Sequence, residues 1–90
     1  MINAEVIKGV QELLEDCGVH QRQGENFGDY VARGLGINGH QAEALLEALH
    51  DGHTVEESVR IAGIDATACK PDLLNQVARA IGSTLGRIAH

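Results

Sequence analysis

Ninety residues carry 13 acids against 7 bases, a net charge of −6 at pH 7, and 43% of the chain is apolar. That is one domain's worth of chain, with a modest core and a small stability margin, and its acidic balance disfavours phosphate backbones and anionic lipid as partners. One Phe, one Tyr and no Trp leave the core to Leu, Ile, Val and Ala, which suits helices better than a small sandwich.

In chain order, Asn3 is a good N-cap and Glu5 suits the first turn of a helix dipole. Val6, Ile7, Val10, Leu13, Leu14 and Cys17 recur at helical spacing, and Gly18 sits where a left-handed cap ends the helix. Gly9, costly inside a helix, marks a close helix contact. The polar stretch 19–26 reads as a loop. Asn26 then caps a short helix carrying Phe27, Tyr30 and Val31, which reads as an aromatic plug on an aliphatic core.

Asn38 with Gln41 forms a capping box ahead of Ala42, Leu45, Leu46 and Leu49, and Gly52 stops that helix. Thr54 with Glu57 forms a second box ahead of Val55, Val59 and Ala62, and Gly63 stops that one. A link as short as Asp51–His53 forces the two helices to double back or cross sharply. Ala66–Cys69 reads as one helical turn. Pro71 fits the first position of a last helix striped by Leu74, Val77, Ala78, Ile81, Leu85 and Ile88. Ala78, Gly82 and Gly86 lie on one ridge of it, a close-packing seam either for the first helix or for a homodimer. The expected fold is all-α, a compact orthogonal bundle of about five helices in a single domain over residues 1–90.

Two cysteines, Cys17 and Cys69, are too few for a disulfide framework. Each falls on the apolar face of its segment, so buried free thiols in a reducing cytoplasm are expected. The start of the chain lacks the basic and apolar regions of a signal peptide, and no apolar run is long enough to span a membrane.

Two stretches resemble known families. Thr54–Asp65, TVEESVRIAGID, resembles the first helix and turn of the DNA-binding helix-turn-helix family. It departs from that pattern at Val59, where the family prefers a small residue. Pro71 then falls inside what should be the recognition helix, and only Thr67 and Lys70 offer base or phosphate contacts before Asn75. Arg22–Arg33, RQGENFGDYVAR, resembles the C-terminal tail of sulfite and nitrite reductase haemoprotein subunits, through Arg22, Gly24, Glu25, Phe27, Gly28, Asp29 and Arg33. That resemblance implies an accessory or detached segment of redox machinery. Four thiolates hold an iron–sulfur cluster, and this chain has two cysteines. From the residues alone, Asp29 and Arg33 form an i,i+4 pair beside two aromatic anchors.

Catalytic machinery is not legible. His50 and His53 flank Asp51 and Gly52, too few ligands for a metal and on a broken helix, and His50 reads as a partner of a helix C-terminus. His20 and His40 stand alone, and His90 is terminal. Cys17, Cys69, Ser58 and Ser83 lack a neighbouring base motif, and the glycines fall at helix ends rather than in a phosphate loop. The expected function is a small cytoplasmic protein-interaction or accessory module with no cofactor and no catalysis of its own. The acids Glu12, Glu15, Asp16, Glu43 and Glu47 form the candidate face for a partner with a basic surface. The alternatives are a helix-turn-helix-like DNA-binding regulator and an accessory component of a sulfite or nitrite reductase system.

Overall fold

The computed structural model describes residues 3–65 and 70–88. Among these residues it holds five helices: α1 Ala4–Asp16, α2 Phe27–Leu35, α3 Gly39–His50, α4 Val55–Ala62 and α5 Pro71–Ile88. No strand occurs among the described residues. The turn expected at Ala66–Cys69, with Thr67 and Cys69 in it, lies outside the described residues, as do His90 and the side chain of Ile88.

Four helix starts follow from side-chain capping. The oxygen of Asn3 accepts from the Glu5 amide at 2.7 Å, and that of Asn26 from Asp29 at 2.8 Å. Asn38 and Thr54 accept from Gln41 and Glu57 at 2.8 and 3.1 Å, and both boxes close, since each cap amide donates back at 3.2 Å. The helix ends share a second device. Val19, Ile37, His53 and Ile64 donate to the carbonyls of Leu14, Ala32, Ala48 and Val59 at 2.8–3.1 Å. Each of these follows a glycine, and at Gly52 the φ of 99° lets α3 turn into α4 within a few residues. Val19, Ile37 and Ile64 then pack on the core, so each stop also plants an apolar anchor.

α3 is the central element, touching α2, α4 and α5, while α1 packs chiefly on α5. The buried faces are Val6, Val10 and Leu14 of α1, Ala42, Leu45, Leu46 and Leu49 of α3, and Leu73, Leu74, Val77 and Ile81 of α5. Gln41 Nε2 donates to the Gly63 carbonyl at 3.1 Å, which joins the start of α3 to the end of α4 and makes that pair double back. The Lys70 amide donates to the Leu35 carbonyl at 3.2 Å and fixes the entry to α5. Among the described residues no helix is long and apolar enough to cross a membrane.

Several expectations need correcting. Cys17 is exposed, because it is the C-cap of α1 rather than part of its stripe. Of the two aromatics only Tyr30 is fully buried; Phe27 is half-buried. Val55, Val59 and Ala62 do pack against the core as their spacing implies, but they stay half-buried, and the fully buried residue of α4 is Ser58. A Cβ at Gly82 or Gly86 would meet nothing within 4 Å, so their ridge is not seated on α1. The close contact of α1 and α5 is instead at Gly9, where a Cβ would lie 3.3 Å from Thr84 Oγ1.

Candidate functional site

The half-buried stripe of α4 and the open ridge of α5 face a common hollow. A groove of about 580 Å³ runs from the turn after α3 along α5, lined by Leu49, Val55, Asn75, Ala78, Gly82 and Leu85 among others. A second hollow of about 320 Å³ continues it past Val59, Arg60, Pro71 and Leu74, and shares Val55 and Asn75. The physical cause is local. α4 makes most of its contacts with α3 and few with α5. Its buried Ser58 lies away from both hollows, and Val55 and Val59 are left on their wall. Arg60 and Glu56 border one hollow and Arg79 and His53 the other, so the groove has an apolar bed and mixed charge at its rim. Ile61, also on α4, is 56% exposed outside both hollows.

The five acids of the expected face are all exposed. Glu12, Glu15 and Asp16 share the solvent side of α1. Glu43 and Glu47 border a separate cleft of about 380 Å³, which also includes Ile7, Phe27, Gly28 and Leu46. No residue of the α1 trio lines that cleft. Gly28 is buried, and a Cβ built on it would meet Glu43 Cγ at 2.7 Å, so the stem of Glu43 lies directly over the glycine.

The run Arg22–Arg33 folds into a clasp. Arg33 holds Glu25 with two parallel bonds, Nε to Oε2 at 3.1 Å and Nη2 to Oε1 at 3.0 Å, and also donates to the His20 carbonyl. The expected Asp29–Arg33 pair is absent; Asp29 instead accepts from Asn26 Nδ2 at 3.0 Å at the helix start. Hydrogen bonds from Arg33 and the Arg22 amide hold the Glu25 carboxyl below its ordinary pKa. Tyr30 donates to the Val19 carbonyl at 2.6 Å, and burial pushes its phenol up, with the Glu15 carboxylate adding to the shift. The Arg33 guanidinium sits 5.9 Å from the Tyr30 ring centre. The loop between α1 and α2 is thereby tied to α2 at both its ends.

Among the described residues no three His, Cys, Asp or Glu side chains converge as a metal site. His53 Nδ1 stands 3.9 Å from Glu57 on the surface, and His50 closes α3 with its Nε2 buried and without a hydrogen-bond partner among the described residues. Sequence reasoning named Ser58 and Gly28 but not their packing roles, and missed Thr84 and Gly39. A side chain on Gly39 would collide with the Asp29 carboxylate. The available signal was composition: Gly28 and Gly39 lie in the first turns of their helices, where no cap asks for glycine, so close approach was the remaining reason for them. No family model, curated protein or solved structure matches the chain.

Proposed function

We propose that this chain is a cytoplasmic protein-interaction or accessory module without catalysis of its own, and that an apolar helix of its partner lies in the α4–α5 groove. One observation carries the reading: the half-buried apolar stripe of α4 flanks a ridge of α5 at which a Cβ on Gly82 would have no neighbour within 4 Å, with half-buried Leu85 beside it. A helix laid there could approach closely at Ala78 and Gly82 and bury Val55, Val59 and Leu85. Each such side chain contributes on the order of 1 kcal/mol or more when its remaining exposed surface is covered. The mixed charge at the rim would fix register more than affinity.

The test is photocrosslinking in the cells that make the protein, with a benzophenone amino acid placed at Asn75, at Gly82 or, as control, at Gln23. The groove positions should give one discrete adduct and the control none. An adduct holding only a second copy of this chain would identify the partner as itself. Equal or absent labelling at all three positions would end the reading.

DNA binding is the second reading. The observation in its favour is that Arg60, Asn75 and Arg79 border the same groove. Lack of binding to random duplex at low salt would eliminate it, since non-specific contact should show there first. An accessory role in a sulfite or nitrite reductase system is the third. It rests on the run Arg22–Arg33 and is tested by co-purification with the reductase.

A further inference from the structure

The cleft between α1, α2 and the middle of α3 shares no lining residue with the α4–α5 groove. We propose that it is a separate binding site for a cationic amphipathic segment of a protein, with an apolar side chain over Ile7 and Phe27 and lysine or arginine heads on Glu43 and Glu47. The inference does not depend on the groove being occupied.

The apolar part is real surface. Phe27 is the only Phe in the chain, yet it stays half-buried, edge-on to Tyr30 at 6.4 Å, with its outer side on the cleft beside Ile7 and Leu46. In the charged part, the stem of Glu43 is seated. Glu43 and Glu47 lie one turn apart on α3, a like-charge spacing that weakens a helix unless a cation neutralises it. Among the described residues neither carboxylate has a hydrogen bond or ion pair. The stem of Glu43 rests on Gly28, and any side chain at that position would displace it. The crossing of α2 and α3 thus holds a carboxylate stem beside a half-buried aromatic ring.

The sign of the ligand follows from the surroundings. Residues 1–50 hold eight acids and three bases, and Arg33, one of those bases, is already bound to Glu25. Anionic ligands are therefore repelled, and cationic ones are drawn in. A bare polycation would satisfy the carboxylates but leave Phe27 and Ile7 wet. The apolar floor selects a segment that presents both kinds of group on one face.

The full chain, labelled with ¹⁵N, would be titrated with a short amidated leucine–lysine peptide whose leucines recur at helical spacing. Amide shifts should concentrate at Ile7, Phe27, Gly28 and Leu46. The double variant Glu43→Gln/Glu47→Gln should weaken binding about tenfold. The variant Glu12→Gln/Glu15→Gln, with the same change in net charge, should weaken it less than about twofold. Equal weakening by the two pairs, shifts confined to the α4–α5 groove, or equal affinity for spermine or for a scrambled peptide would each overturn the proposal. The groove reading would be untouched by the first and third of these results and favoured by the second.

Discussion

Ser58 has no exposed surface, and its hydroxyl has no hydrogen-bond partner among the described residues. A buried hydroxyl left unmade costs about 1–3 kcal/mol, and Ala is also the better helix former. Ser58→Ala should therefore raise stability by about 1 kcal/mol, read as a higher midpoint in urea at unchanged slope. A loss of stability would mean that an ordered water satisfies the group. Gly28 makes the opposite case. An added methyl would lie 2.7 Å from Glu43 Cγ, part of the stem rather than the free end of that side chain. Gly28→Ala should destabilise by about 1–3 kcal/mol through overpacking. In a Glu43→Ala background the clash disappears, and the same change should be neutral or stabilise by up to about 1 kcal/mol. That coupling, measured as a double-mutant cycle, is the check. Additive effects would place the strain in the backbone instead.

At the scale of the element, caps decide where helices begin, and their energetics are open to measurement. Thr54 Oγ1 accepts from the Glu57 amide, and the Thr54 amide donates to the Glu57 carboxylate; Thr54→Ala removes the first bond and should destabilise by roughly 0.5–2 kcal/mol in thermal unfolding. The Thr54 amide first, and then the Thr54 hydroxyl, hold the Glu57 carboxyl below its ordinary value, as Arg33 does for Glu25. A depressed folded pKa stabilises above the unfolded value near 4.5 and is lost as pH falls through the folded one. Melting temperature should accordingly drop from about pH 5 to about pH 3, and Glu25→Gln should lower stability at neutral pH while flattening that slope. An unchanged acid slope in the variant would remove the Arg33–Glu25 clasp from the account. The caps at Asn3, Asn26, Asn38 and Thr54 were legible in the sequence because capping is a local rule that links an oxygen to an amide two or three residues on. The Glu25–Arg33 pair was not. Helical spacing pointed to Asp29, and only the fold of the loop brings Glu25 within reach.

At the scale of the whole molecule, the stripes revealed five helices and a core of aliphatic residues, but not which face would stay uncovered. Periodicity shows which residues face inward. How closely two helices approach depends on contacts between distant parts of the chain, such as Gly9 against Thr84, or Gly28 under Glu43. The ridge of Ala78, Gly82 and Gly86 was visible as a pattern, yet either a seated or an open ridge would look the same in sequence. Its openness now leads to a prediction in which stability and function oppose each other. Gly82 is exposed inside α5 with space around it, so Gly82→Ala should stabilise the free chain by about 0.5–1 kcal/mol through helix propensity alone. For a domain of this size that raises the melting temperature by several degrees, at about 4–8 °C per kcal/mol. A solitary surface glycine would show that gain and nothing else. A glycine kept for close approach of a partner helix should show it together with weaker photocrosslinking from Asn75, because the added methyl holds the helix away. Stabilisation with crosslinking undiminished would mean that the partner does not lie over Gly82, and would move the contact to the Val59–Leu74 end of the groove.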